Sequence, residues 1–123
     1  MGRQYEKIHA TTVRVPDVAE GKANRFIAID GNYATSAGTV KDSLGISEDD
    51  KYQGTITVIT NYSGVIELSE AVVPGDYLRP AADGTGRAEK GSATDHCARV
   101  RSAEKGGAVG EFIEAIILPH IHP

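Results

Sequence analysis

The chain has 123 residues, of which 40% are hydrophobic, and its formal net charge is −4. This length fits one domain with a single core, and the apolar content excludes a wholly disordered chain. The basic residues are scattered along the sequence rather than gathered into the stripe that a phosphate backbone would favour. Direct nucleic-acid binding is therefore not expected.

No apolar run reaches the roughly 18 residues that a membrane span needs, and the polar first residues predict no secretory signal. We therefore expect no membrane partner. Tryptophan is absent and two phenylalanines are present, so Val, Ile, Leu and Ala must build the core. Cys97 is the single cysteine, which excludes an intrachain disulfide and is compatible with assembly in a reducing cytoplasm.

The first part of the chain predicts short strands separated by turns. Residues 1–10 carry charge and little periodicity, and we interpret them as a flexible N-terminal arm that either frays or orders on a partner surface. Residues 11–15 alternate in polarity and residues 25–29 are apolar on both faces, so each segment predicts a strand. Residues 30–32 predict a turn, and residues 44–46 predict a short extended piece.

Residues 54–60 form the clearest predicted strand, because β-branched side chains fill it. Ile56 and Val58 share one face of this strand. Residues 61–64 then predict a turn into a further strand at residues 65–68. The two strands are predicted to pair as a hairpin.

A second hairpin is predicted further along the chain. Residues 77–79 and 87–89 have the composition of strands, and they flank an Asp-Gly turn signal at residues 83–84.

The last part of the chain predicts two more strands. Residues 97–103 alternate between a small apolar face and a basic face with Arg99 and Arg101, which is either simply exposed or meets an acidic partner surface. Residues 112–118 are apolar on both faces apart from one glutamate, so this strand is expected to be central or to lie at a subunit contact. Altogether, about eight short strands predict an all-β small barrel or sandwich in one domain, residues 11–123.

Two pairs of residues are candidates for chemistry. His96 and Cys97 are adjacent, so on a strand they would point to opposite faces and lack the hydrogen-bond reach that nucleophilic catalysis needs. His120 and His122 share one face of an extended chain, and they are weak candidates for a metal site formed by copies that meet on a symmetry axis. Otherwise they belong to an exposed tail. We therefore expect no enzyme activity and no cofactor.

The order of motifs in the second half of the chain resembles one family. The motifs are G-V-I-E-L from residue 64, V-P-G-D-Y-L from 73, A-D-G-T-G-R-A from 82, C-A-R-V-R-S-A from 97 and G-E-F-I-E-A-I-I-L from 110. In order and spacing they are similar to the capsid cement, or head decoration, proteins of tailed bacteriophages. The resemblance covers about residues 26–118.

This resemblance implies a β-tulip-like fold and a structural role. A protein of this kind binds the outer surface of an icosahedral head at capsomer junctions, often as a homotrimer, and clamps the major capsid protein against the pressure of packaged DNA. Three weak contacts on one trimer act together through a high effective concentration, and an N-terminal arm can add a strand to a partner sheet. The expected location is therefore the virion. The residues expected at capsid or subunit contacts are Tyr5, Lys7, His9, Arg99, Arg101 and Ile117.

An alternative function is a binding module. A small β-barrel could hold a carbohydrate or a peptide as part of a larger assembly, with surface aromatic side chains as the contact groups. The tyrosines near predicted turns are Tyr33, Tyr52, Tyr62 and Tyr77.

Overall fold

The structure, a computed structural model, describes residues 10–36, 41–60, 63–91, 100–102 and 107–117, with the backbone alone for residues 100–102. The predicted all-β fold is confirmed. The described ranges hold nine strands: β1 (Ala10–Arg14), β2 (Phe26–Ala28), β3 (Ser43–Ser47), β4 (Thr55–Ile59), β5 (Ser63–Glu67), β6 (Tyr77–Pro80), β7 (Ala88–Lys90), β8 (Val100–Ser102) and β9 (Phe112–Ile117). Within these ranges, no helix is long and apolar enough to cross a membrane.

The strands form two antiparallel sheets. The first sheet has the order β1-β4-β3-β2, and the second has the order β5-β9-β8-β6-β7. Side chains from both sheets share one core, so the molecule is built as a small sandwich. The longest ladder joins β5 to β9, and it pairs Ser63 with Ile116 at one end and Glu67 with Phe112 at the other.

The predicted hairpin between β4 and β5 is wrong. Both edges of β4 are already occupied, because β1 pairs with one edge and β3 with the other. β5 instead pairs along its whole length with β9 in the second sheet. The chain therefore crosses from one sheet to the other between Ile59 and Ser63, where the sequence predicts a simple turn.

The second predicted hairpin is confirmed, since β6 pairs with β7 and places Arg79 opposite Glu89. Local hydrogen bonds fix the turn that joins them. The Asp83 carboxylate accepts bonds from the Thr85 N–H at 3.0 Å and the Thr85 hydroxyl at 2.7 Å. These bonds, led by the one from the hydroxyl, lower the pKa of Asp83 below its ordinary value. The predicted turn at residues 30–32 is confirmed as well, because the Ala28 N–H donates to the Asn32 carbonyl at 2.8 Å.

Apolar side chains fill two clusters, one on each face of the first sheet. The larger cluster lies between the sheets and contains Phe26, Ile46, Ile66, Leu78 and Ile113, all fully or almost fully buried. Burying each such side chain contributes about 1.5–3 kcal/mol.

The smaller cluster contains Val15, Ile27, Ile56 and Val58. The segment after β1 covers it, because this segment must cross from β1 at one edge of the sheet to β2 at the opposite edge. Its residue Ala19 packs against the cluster. The predicted shared face of Ile56 and Val58 is therefore confirmed as a buried face.

β9 is central in the second sheet, between β5 and β8. Its side chains alternate strictly between the two faces of the sheet. Ile113, Ala115 and Ile117 are buried, whereas Phe112 and Ile116 are exposed. Both faces of β9 are therefore apolar but lie in different places. One face packs in the core, and the other lies on the surface of this chain.

Candidate binding surfaces

Many of the predicted site residues lie outside the described residues. These are Tyr5, Lys7, His9, Tyr62, His96, Cys97, Arg99, His120 and His122. Arg101 lies in β8, where its backbone is paired with Tyr77 on one side and Ile116 on the other. Within the described part of the chain, no group of three His, Cys, Asp or Glu residues is placed to hold a metal ion.

Ile117 is placed differently from the expectation that it contacts a partner. It faces the core and is only 9% exposed. The next residue towards the N-terminus, Ile116, points the other way and is 47% exposed. Adjacent residues on a strand occupy opposite faces, so Ile116 is the isoleucine that β9 exposes on the outer side of the sheet.

The outer face of the second sheet carries exposed apolar side chains. Val65 on β5 and Phe112 and Ile116 on β9 are each about half exposed, at 43%, 51% and 47%. The ladder places Val65 opposite Glu114, whose carboxylate accepts a bond from the Ser63 hydroxyl at 3.1 Å. We call Val65, Phe112 and Ile116 the outer apolar face. An apolar group with a polar surround is typical of a protein-binding surface.

A charged cluster joins the two sheets next to this face. Glu67 on β5 pairs with Arg25, which precedes β2, at 3.1 Å, and with Arg87, which precedes β7, at 3.6 Å. Arg25 also donates to the Thr85 carbonyl at 2.7 Å. The side chains of Arg25 and Glu67 are only 13% and 17% exposed. Sequence reasoning missed this cluster, because its members are far apart in the chain and each resembles an ordinary surface charge.

Tyr33 extends this cluster through its ring and its hydroxyl. The Arg25 guanidinium lies 5.4 Å from the centre of the Tyr33 ring. The Tyr33 hydroxyl donates to Glu20 at 3.0 Å and accepts from the Lys22 N–H at 2.9 Å. Burial raises the pKa of Tyr33, whereas hydrogen bonds from Tyr33 and Lys22 lower the pKa of Glu20. Of the tyrosines predicted to contact a ligand, Tyr52 is the most exposed among those described, at 74%.

A groove of about 840 Å³ lies beside the C-terminal end of β1. Its walls come from residues 13–17, from Ile29 and Asp30, and from residues 53–55. Burial raises the pKa of Asp30, but hydrogen bonds from Lys41, at 2.8 Å, and from the Asn32 N–H outweigh it, so the net pKa is lowered. The groove therefore presents an ionised carboxylate beside the exposed apolar side chain of Ile29.

No protein-family model matches the sequence, and no curated protein matches it. The fold, in contrast, is similar to a solved structure, the crystal structure of the N base of head fiber gp8.5 in bacteriophage phi29. The TM-score is 0.61 at 12% sequence identity, over 90% of this chain and 99% of that chain. At this identity the likeness concerns the fold, and almost the whole of both chains shares it.

Proposed function

We propose that this protein is a non-enzymatic structural protein of a bacteriophage head. In this proposal it decorates the outer capsid surface at capsomer junctions and stabilises the head against the pressure of packaged DNA. The observation that carries the proposal is the shared fold with the phi29 head fiber base over nearly the full length of both chains. The order of turn and strand motifs in residues 64–118 supports it independently.

The outer apolar face suits the docking step of this proposal. A specific protein interface buries about 800 Å² on each partner and has an apolar centre, and the exposed side chains of Val65, Phe112 and Ile116 supply such a centre. The Arg25–Glu67 ion pair links this sheet to the other one beside the face. A homotrimer would present three such faces to the major capsid protein, and their contacts would act together.

The test uses phage heads assembled without this protein. Purified chain is added, and bound protein is measured by cosedimentation and located by cryo-electron microscopy. We expect saturable binding at capsomer junctions and release of DNA at a higher temperature than from bare heads. Failure to cosediment with both expanded and mature heads would contradict the proposal.

A matched pair of variants tests the face itself. Ile116→Asp should weaken head binding at least tenfold, because it places a carboxylate at the apolar centre of the interface. Val18→Asp changes a side chain that is 96% exposed and lies on the segment after β1, so it should bind heads like the wild type. Equal binding by both variants would place the capsid contact elsewhere on the molecule.

A second candidate function is the peptide or carbohydrate module. The groove beside β1 favours it, and the exposed Tyr52 lies in the same turn as the groove residues Gln53 and Gly54. A glycan array tests this candidate, with Tyr52→Ala as the variant that should lose binding. An array without a specific signal would remove the carbohydrate form of this candidate.

A further inference from the structure

Other parts of the chain bond to both edges of the second sheet. At the Glu67 end of the β5 edge, the Glu67 N–H donates to the Asn24 carbonyl at 3.0 Å, and the Asn24 side chain donates to the Val65 carbonyl at 3.0 Å. At the β7 edge, the Ser69 N–H donates to the Ala88 carbonyl at 2.8 Å. The β7 edge and the Glu67 end of the β5 edge are therefore occupied.

The β2 edge of the first sheet is covered in the same way. The Ala34 N–H donates to the Phe26 carbonyl at 2.9 Å, and the Phe26 N–H donates to the Gly86 carbonyl at 2.7 Å. The β7 and β2 edges and the Glu67 end of the β5 edge are thus occupied by hydrogen bonds within the described residues.

Within the described residues, the outer side of β1, the remaining edge, is open at its Ala10 end. The Val15 N–H donates to the Gly54 carbonyl at 2.8 Å, which fixes the alternation of the ladder. Thr11 and Val13 therefore bond to β4, whereas the backbone groups of Ala10 and Thr12 point away from it. Within the described residues, no other backbone or side-chain group bonds to these outward groups of Ala10 and Thr12.

β1 lacks the usual protection of an open edge. Natural edge strands carry a central lysine, a proline or a bulge that prevents pairing with another chain. β1 reads Ala-Thr-Thr-Val-Arg, and its register with β4 is regular. Its open side therefore fits an added strand, and an added strand would also run towards the groove at the end of β1.

We propose that residues 1–9 of a neighbouring copy of this chain pair with the outer edge of β1. Nine residues of this sequence precede Ala10. Extended, residues 4–9 would span about 20 Å, which matches the roughly 17 Å of a five-residue strand. To pair with β1 of its own chain, this segment would need a tight turn just before Ala10. The sequence Gln-Tyr-Glu-Lys-Ile-His supplies none of the Gly, Pro, Asn or Asp residues that such turns use.

Charge permits this occupant. Asp17 and Asp30 line the groove together with Arg14, and Lys41 pairs with Asp30 at 2.8 Å, so these four side chains carry no net charge. The segment 1–9 contains Arg3 and Lys7 against one acid, Glu6, and it would meet no excess of like charge at the groove. This exchange joins copies of the chain to each other and does not rest on capsid binding.

The first test is the mass of the protein in solution, measured by light scattering at matched concentrations. We expect the full chain to be an oligomer, and we expect the chain without residues 1–9 to be a monomer with an unchanged melting temperature. A monomeric full chain, or a truncated chain that keeps the mass of the full chain, would overturn the proposal.

A backbone variant makes the test specific to the edge. Thr12→Pro removes an N–H that points away from β4, so the fold should persist while the oligomer dissociates. Thr11→Pro is the matched control. The N–H of Thr11 bonds to β4, so losing this hydrogen bond should unfold the first sheet. A folded Thr12→Pro variant that remains an oligomer would overturn the proposal.

Cross-linking identifies the donor strand. In a Cys97→Ser background, chains with Glu6→Cys are mixed with chains with Thr12→Cys and oxidised. We expect a disulfide-linked pair between the two kinds of chain, and a much lower yield when Val18→Cys replaces Thr12→Cys. Equal yields from the two mixtures would indicate random collision and would overturn the assignment. In a chain with both Glu6→Cys and Thr12→Cys, a disulfide formed only within the chain would overturn it too.

Discussion

Glu67 is a carboxylate between two guanidinium groups, and these three side chains come from three separate parts of the chain. Arg25 reaches it from the first sheet, and Arg87 reaches it from within the second. The ion pair is mostly shielded from water, so solvent screens it less than it screens a surface pair. The cluster therefore acts as a link between the sheets beside their apolar core.

Glu67→Gln should lower the free energy of unfolding by about 2 kcal/mol, because two partly buried guanidinium groups would face each other without a carboxylate between them. Glu89→Gln is the matched control. Glu89 pairs with Arg79 at 2.7 Å, but the Arg79 side chain is 35% exposed. Losing this ion pair should therefore lower the free energy of unfolding by less than about 1 kcal/mol. Urea denaturation measures both. Equal costs would show that the Glu67 cluster contributes no more than a surface pair.

Ile116 and Ile117 are adjacent, chemically identical and on opposite faces of β9, which makes them a matched pair. Ile117→Asp should destabilise the protein by more than about 3 kcal/mol, because it buries an unpaired carboxylate in the core. Ile116→Asp should change the free energy of unfolding by less than about 1 kcal/mol. Chemical denaturation of both variants checks this. If Ile116→Asp leaves the fold stable but lowers the mass in solution, the outer apolar face also joins copies of the chain.

At the scale of elements, the turn after β2 approaches the end of β1 very closely. Gly31 has a φ of +86°, and a Cβ atom at this position would collide with the Arg14 carbonyl oxygen. This contact occupies the outer side of β1 at its Arg14 end. Within the described residues, the outer side at the Ala10 end stays open. Glycine is thus required here for two reasons, its backbone angle and the space that it leaves.

Two glycine variants separate the effect of the backbone angle from the effect of the close contact. Gly31→Ala should destabilise the protein by about 3 kcal/mol, since a steric collision adds to the cost of the left-handed backbone angle. Gly84 has a φ of +82°, but no atom lies within 4 Å of where its Cβ would be. Gly84→Ala should therefore cost only about 1 kcal/mol. Thermal unfolding measures both, and similar costs would mean that the turn is free to move away from β1.

The sequence predicts those elements whose causes are local. The β6–β7 hairpin and the turn before Tyr33 follow from turn residues that act over a few positions. The pairing of β5 with β9 has no local cause, because its partners are about 50 residues apart and compete with a nearer strand. A turn signal between β4 and β5 therefore predicts a hairpin that the sheets do not form.

Contacts between distant parts of the chain also limit how much of the candidate surfaces the sequence can predict. The exposed side of β9 follows from alternation once one buried residue is known, so sequence reasoning could have selected Ile116 rather than Ile117. The Glu67 cluster could not be predicted, since a pair such as Arg25 and Glu67 is brought together only when the two sheets pack. The groove is also a tertiary feature, because its walls come from three separate segments.

At the scale of the whole molecule, the arm is a prediction for residues 1–10, and the described fold begins with β1 at Ala10. Removing residues 1–9 should leave the melting temperature within about 3 °C of the wild type and weaken partner binding. Removing residues 1–14 also deletes β1 and Val13, which packs on the smaller cluster. This longer deletion should lower the melting temperature by about 10 °C or more. Differential scanning calorimetry compares the two, and a large loss with the shorter deletion would show that the arm is part of the fold.

The ladder between β5 and β9 also determines when the molecule can fold. During synthesis, the ribosome makes β5 long before β9, so Ile66 and Leu68 emerge without the strand that later covers them. β8 also needs β9, because each of its residues is paired with it. The second sheet therefore cannot close until residues 112–117 have left the exit tunnel. We expect a nascent chain paused before residue 112 to expose the apolar side chains of this sheet and to be prone to aggregation.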